Sequence, residues 1–368
     1  MNYHRTIRFS ALVLAGTMLG GIQAHAQDAA EDAGDSGYSE VASENEIIVT
    51  AQRREERLQE VPLAISAFDQ AAMENSKVET LADFSAKVPN VSLQPVGAFQ
   101  FASAFSIRGL GFADVESSAE PAVGVEVDGV YLARNVGALL DLFDIEGVQV
   151  LRGPQGTLYG RNTIGGVVSV RSARPDDEFG GKFQGTIGSF GRREARAMVK
   201  TPLNDSLGFK VAGLYKDYDG YIDNADGRSL PKERTRSVRG TLTFESGDFD
   251  SALIADYTKL KGDGPGFENA SLPTMVLPIR GYPADQDGEP YTTYATDSNA
   301  LMLETWGVTL EMNASLPIGT FTSSSGYRKT IPSPDSEFAG EPVRVRQVDR
   351  REDHCEFSQE LRLAGDVG

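Results

Sequence analysis

TWGVTLEMNASL, Thr305 to Leu316, alternates without a break. Trp306, Val308, Leu310, Met312, Ala314 and Leu316 fall on one side of an extended chain, and Thr305, Gly307, Thr309, Glu311, Asn313 and Ser315 on the other. That pattern suits a strand that meets lipid on one face and a polar interior on the other. Val238 to Glu245 repeats it, with Val238, Gly240, Leu242 and Phe244 against Arg239, Thr241, Thr243 and Glu245. Candidate strands lie near 182–190, 193–202, 207–217, 234–246, 249–260, 302–316, 319–329 and 355–363. From the second strand onward short connections at 203–206, 247–248 and 317–318 alternate with long ones at 218–233, 261–301 and 330–354. A soluble sandwich has no reason to place its long loops at every other junction, whereas an outer-membrane barrel has short turns on one side and long loops on the other. Eight strands can close a small barrel. The last candidate ends five residues before Gly368 with no terminal aromatic, so the pattern predicts a chain cut inside a larger, incomplete transmembrane antiparallel β-barrel over 180–368.

The N-terminus carries Arg5 and Arg8 without an acid, then the apolar stretch Phe9 to Ile22, then Ala24, His25 and Ala26. A charged start, a short apolar run and an A-x-A site predict a secretory signal over 1–26, cleaved after Ala26. The formal net charge of −18 becomes −20 once both arginines leave with the leader. So acidic a chain is a poor partner for nucleic acid, whose affinity comes mainly from Lys and Arg on phosphates. The single Cys355 excludes an internal disulfide. No later apolar run reaches the length of a membrane-spanning helix, which leaves a closed barrel as the alternative way to satisfy backbone groups in lipid.

Residues 27–45 are acidic and poor in apolar groups, a composition that predicts a flexible lead. At Glu46 the character changes: Ile47, Ile48, Val49 and Thr50 form a short β-prone run that ends at Ala51, followed by QRREERLQE. From Val61 to Pro175 the chain reads as a compact mixed α/β unit. Thr80 to Val88 predicts one short helix, with Thr80 as N-cap and Pro89 as stop. Short strands are expected at 105–108, 123–127 and 147–151, separated by glycine-rich turns.

Several runs then resemble the TonB-dependent receptor family. EIIVTA (46–51) looks like its TonB box, an acidic residue followed by aliphatics and a Val-Thr pair. SIRGLG (106–111), VGVEVDGVYL (123–132) and IEGVQVLRGPQGTLYGRNTIGGVVSV (145–170) resemble successive plug motifs, and FSQELRL (357–363) a recurring barrel-strand motif. The resemblance implies a plug over 52–175 inside a barrel of about 22 strands, of which about 8 are present here. It implies active import of a scarce ligand across the outer membrane of a Gram-negative bacterium, with a ferric siderophore as default cargo and a vitamin, saccharide or other nutrient as alternative. The drive would come from the proton gradient through TonB, ExbB and ExbD. A mobile β-prone segment suits that role, because it can add as a strand to a partner's sheet edge; the plainer reading makes it the first plug strand. Arg108 and Arg152 stand where this family has arginines that pair with barrel glutamates, and Glu311 and Glu360 lie on interior faces as candidate partners. Plug apices near 97–105 and 111–118 should face the ligand, which nominates Phe99, Phe101, Phe105 and Phe112.

Other patterns predict less. The glycine-rich run Gly153 to Gly166 lacks the Gly-Lys-Ser/Thr ending of a nucleotide loop and reads as tight packing turns, with Leu158 and Tyr159 as packing residues. DNADG (223–227) and DQDG (285–288) lack a full calcium-ligand spacing. His354 beside Cys355 is too little for a metal site, so neither metal nor cofactor is expected. No catalytic motif is present, which argues against an enzyme. The competing classes are a passive channel or surface-binding protein and a truncated receptor without function. The short acidic lead disfavours receptors that carry an extra N-terminal signalling domain.

Overall fold

Valine at alternate positions builds the centre of the first unit. In the computed structural model, which describes residues 48–50, 53, 56–96, 99–112, 120–134, 136–138, 141, 143–264, 266–267, 291–294, 300–337 and 347–365, Val123, Val125, Val148, Val150, Val168 and Val170 are all buried. They belong to a plug made of β1 (Ile48–Val49), β2 (Glu56–Arg57), β3 (Ile65–Asp69), α1 (Gln70–Asn75), α2 (Leu81–Ser85), β4 (Val91–Val96), β5 (Phe99–Ile107), β6 (Leu110–Phe112), β7 (Val123–Val127), β8 (Val130–Leu132), β9 (Ile145–Arg152), α3 (Gly156–Tyr159) and β10 (Gly166–Ser172). The central sheet runs β3-β9-β10-β7-β8. Only β10 and β7 are parallel within it. A second sheet, β4-β5-β6, covers one side.

Helix α2 starts on a reciprocal cap. Thr80 Oγ1 accepts from the Asp83 amide at 3.2 Å, and Asp83 Oδ2 accepts from the Thr80 amide at 2.9 Å. The expected helix over Thr80 to Val88 is shorter, ending at Ser85. The next residues fold into tight turns, because Val88 precedes a proline and is pushed away from helical geometry. Leu81 and Phe84 turn fully inward onto Leu93, Phe105 and Ile107.

The second unit is one antiparallel sheet of eight long strands, with a small three-stranded sheet and one short pair in its connections. In chain order these are β11 (Gly180–Ile187), β12 (Arg193–Asn204), β13 (Leu207–Tyr218), β14 (Ile222–Asn224), β15 (Ser229–Leu230), β16 (Lys232–Ser246), β17 (Phe249–Asp263), β18 (Thr292–Thr293), β19 (Ala300–Leu316), β20 (Gly319–Pro332), β21 (Asp335–Glu337), β22 (Gln347–Asp349) and β23 (His354–Ala364). The long strands lie in the order β11-β12-β13-β16-β17-β19-β20-β23. Two-residue turns at 205–206, 247–248 and 317–318 sit at one end, and the connections 219–231, 264–299 and 333–353 at the other.

Burial follows the predicted alternation, inverted relative to a soluble protein. On β19 the polar Thr305, Thr309 and Glu311 are buried while Trp306 and Val308 are exposed, and on β16 Thr241 and Thr243 are buried while Val238 and Phe244 are exposed. No helix among the described residues is long and apolar enough to cross a membrane. The outward apolar face of the strands fits a sheet that crosses instead.

One glycine on the inner face is required by a cross-strand ion pair. Gly307 stands between Asp256 of β17 and Arg328 of β20 in the ladder. Arg328 reaches over it to hold Asp256 with both terminal nitrogens, at 2.7 and 3.2 Å. A β-carbon at Gly307 would sit 3.0 Å from the guanidinium. Gly307→Val is therefore expected to displace Arg328 and lower stability by about 1.5–3 kcal/mol, the range for hydrogen bonds to charged groups. Thermal unfolding in detergent checks this, with Gly307→Ala falling between wild type and Val.

Candidate functional site: the docked N-terminal segment and the plug–barrel contacts

Of the predicted box, Ile48, Val49 and Thr50 are described, whereas Glu46, Ile47 and Ala51 lie outside the described residues. Ile48 pairs with Arg57 and Val49 with Glu56. Alternation turns the Ile48 side chain outward, half exposed, and sends Val49 fully inward against Val61, Leu151 and Val167. The Thr50 amide donates to Gln149 Oε1 at 3.2 Å. The segment is thus docked on the plug, where the sequence suggested an exposed, mobile run. The reason is that one β-branched side chain finds an apolar seat.

Arg53 follows directly. Its Nη2 lies 2.7 Å from Glu126 of β7 and 3.5 Å from Glu360 of β23, and its guanidinium sits 4.3 Å from the centre of the Tyr159 ring. Burial raises the Glu126 carboxyl above its ordinary range, against the pull of Arg53. Tyr159 is the packing residue expected of the glycine-rich run; Leu158 is exposed instead.

The ion pairs between plug and wall use other arginines than the sequence nominated. Glu311 meets Arg174 at 3.0 Å and Arg171 at 3.5 Å, and Glu360 meets Arg362 at 3.1 Å as well as Arg53. Among the described residues neither Arg108 nor Arg152 forms a pair with Glu311 or Glu360. Arg108 occupies an exposed turn with φ of 53°, and Arg152 ends β9 with its Nε buried and without a hydrogen bond. Arg171 and Arg174 stand at the end of β10, three apart, just before the first wall strand. Basic residues closing the last plug strand were the signal that went unread.

A pair that the sequence reading missed fastens the plug to the wall beside Arg174. Lys210 of β13 is almost completely buried, its Nζ 3.0 Å from the Asp144 carboxylate and donating to the Ala173 carbonyl. Arg239 of β16 donates to the carbonyls of Phe143 and Asp144, each at 3.3 Å. Farther along, Arg192, just before β12, and Arg196 of β12 hold Glu79 at 2.8 and 3.3 Å. Steric fit adds to charge: Val130 of β8 fills a notch at Gly326 of β20, where a β-carbon would lie 2.4 Å from its methyl group.

At the far end Val96, Ala102 and Val136 pack on Leu260, Leu301 and Leu303, beside the long connections. The side chains of Phe99, Phe101 and Phe112 lie outside the described residues. Phe105 is no apex residue: it is 1% exposed inside the plug core, because it shares the inward phase of β5 with Ile107. Between plug and wall a polar cavity of about 910 Å³ has Thr50 and Arg53 on one side and Asp250 and Glu311 on the other. In the DNADG turn, Asp226 is bonded by Arg228 at 2.7 Å, and DQDG lies outside the described residues.

Asp141 titrates where it can be measured. Burial pushes its carboxyl up to about 6, opposed by Arg196 and Lys216 and reinforced by Glu79 and Glu194. A carboxyl raised in the folded state binds a proton there before it does in the unfolded chain. Stability from this group therefore increases as pH falls from about 6 toward the unfolded value near 4. Asp141→Asn should remove that gain, so that wild type and variant differ more in unfolding temperature at pH 7 than at pH 5. An equal difference at both pH values would refute the assignment.

Residues 57–167 match the TonB-dependent Receptor Plug Domain. The pesticin receptor of Yersinia pestis is 29% identical over 214 residues, 58% of this chain and 29% of that protein. The vitamin B12 transporter of Vibrio vulnificus is 26% identical over 50% of this chain and 29% of its own length. The chain thus spans about a third of the length of the curated relatives it matches. In fold it is similar to the ferric yersiniabactin uptake receptor of Yersinia pestis, with a TM-score of 0.70 at 19% identity over 83% of this chain and 46% of that one. The ferripyoverdine receptor of Pseudomonas aeruginosa gives 0.67 at 18% identity, over 85% and 41%. Residues 57–167 thus carry a TonB-dependent receptor plug domain, and the wall strands that follow share the fold of the receptors named.

Proposed function

We propose that this protein imports a scarce ligand across the outer membrane, driven through its segment 46–51 by TonB with ExbB and ExbD. A ferric siderophore is the default cargo and a vitamin the alternative, in keeping with what the named relatives and structural neighbours carry. The observation that carries the reading is how lightly the segment is docked. Among its described residues a two-residue strand, one buried valine and the Thr50 amide on Gln149 hold it, and burying such a side chain contributes roughly 1.5–3 kcal/mol. A partner that offers a longer sheet edge competes well against so small a seat. Arg53 adds an ionic hold and lines the cavity, so extraction of the segment removes part of that cavity's wall. The leader over 1–26, export to the outer membrane and ligand contacts from Phe99, Phe101 and Phe112 belong to the same proposal.

Proline at Ile48 or Val49 removes a backbone donor from the strand. Either substitution is expected to abolish uptake of a ferric siderophore by whole cells while leaving its binding at the cell surface intact. Uptake that persists in these variants, or after collapse of the proton gradient, would identify a passive channel instead.

A further inference from the structure

Strands β16 and β17 set four cations in a block on the outward face of the wall. Arg234 stands directly opposite Lys261, and Arg236 directly opposite Lys259. Alternation puts all four on the side of the exposed Val238, Phe244 and Leu253, while Thr235, Ala252 and Ile254 are buried on the other side. Directly opposed side chains have β-carbons about 4.5–5.5 Å apart, and like charges there are destabilising. The flanking strands answer half of the block. Asp217 of β13 accepts from Arg234 at 3.1 and 3.2 Å, and Glu304 of β19 holds Lys259 at 2.8 Å. Asp217 also faces Arg193 in the ladder, which spreads its charge further. The remaining diagonal, Arg236 and Lys261, has no acid partner within ion-pair distance among the described residues. Arg236 lies 5.9 Å from the Tyr215 ring centre, and Lys261 is exposed.

The block's height on the wall is informative. Next to it on the same face come Tyr215, Tyr257, Trp306 and Tyr327, with the Trp306 and Tyr327 rings 5.3 Å apart. Beyond them toward the short turns are Phe209, Val211, Phe244, Leu253, Val308 and Phe321, all exposed. Aromatic girdles border the apolar band of membrane barrels. The cations therefore lie between such a girdle and the long connections, at the level of lipid headgroups.

We infer that Arg236 and Lys261, within the block they form with Arg234 and Lys259, bind a phosphate of a glycolipid in the outer leaflet. A phosphate monoester carries close to two negative charges and three strong acceptor oxygens. One group can thus answer both unpaired cations, across a diagonal of about 7–8 Å, with the guanidinium as a bidentate donor. The apolar band below gives the acyl chains a seat, which free phosphate would not use. The inference depends on a membrane-facing wall and not on coupled import.

The test is native mass spectrometry of the full chain in detergent, titrated with a bis-phosphorylated glucosamine-disaccharide lipid and with its dephosphorylated form. Wild type is expected to retain the phosphorylated lipid about tenfold better, on the scale of one or two charge-assisted bonds. The double variant Arg236→Gln with Lys261→Gln should lose that preference. Lys329→Gln, whose cation already has Asp353 at 2.9 Å, should keep it. Equal retention of both lipids by wild type, or an undiminished preference in the double variant, overturns the inference. So does abolition of the preference by millimolar inorganic phosphate, which would point to a free anion. Without lipid the double variant should unfold at or above the wild-type temperature, because like-charge repulsion is gone. A lower temperature would show that the two cations are held by contacts within the protein, and would also count against lipid.

Discussion

A sheet that is apolar outside must be polar inside, and most other features of this molecule follow from that inversion. Because every second residue of each wall strand points inward, the lumen is lined by Thr235, Thr241, Thr305, Thr309, Glu311 and their like. A plug resting on such a wall cannot be held chiefly by apolar packing. It is held by charge pairs, by backbone carbonyls and by a notch where a glycine admits a valine. The plug keeps its own hydrophobic core, closed around Phe84, Phe105 and the valines of β7, β9 and β10. The two units therefore share an interface of a different chemistry from either interior.

That interface is uneven around the plug. On the side of β13 and β16 the Lys210 and Asp144 side chains are almost completely buried. Removing one member there would strand a charge, which costs about 3–5 kcal/mol. On the side of β19, β20 and β23 the pairs border a cavity; Glu311 and Glu126 are buried there too, whereas Glu360 is 39% exposed. Charges that water can reach contribute less when paired and cost less when parted. The N-terminal segment is docked on this second side, with Thr50 and Arg53 at the cavity's rim.

How much of this could be read in the sequence depends on the range of the interaction. Strand positions on the wall were legible to within a few residues, because period-two alternation and two-residue turns are local properties. The helix at α2 was legible from Thr80 and Pro89 for the same reason. The inward valine of the docked segment was not, since Val49 in isolation is one of several aliphatics, and only the seat made by Val61, Leu151 and Val167 decides which one turns in. Phe105 was misplaced by its position near a hairpin end, where the phase of β5 rather than sequence position sets the direction. Lys210 reads as an ordinary exposed lysine within KVAGLYK; its burial comes from a plug turn that is distant in sequence.

The arginines show the same limit most sharply. Arg108 and Arg152 stand in the motifs that resemble the family's plug, yet Glu311 is taken by Arg171 and Arg174, and Glu360 by Arg53 and Arg362. A motif fixes where a residue sits on the plug, but its partner is fixed by which wall strand faces that place. Glu311 faces the end of β10 because β19 runs down toward its short turn there, and Arg171 and Arg174 are the cations within reach. Arg152 keeps an Nε that is buried without a hydrogen bond. A buried donor without an acceptor costs free energy, so Arg152 keeps the place on the plug that its motif fixes without drawing stability from Glu311 or Glu360.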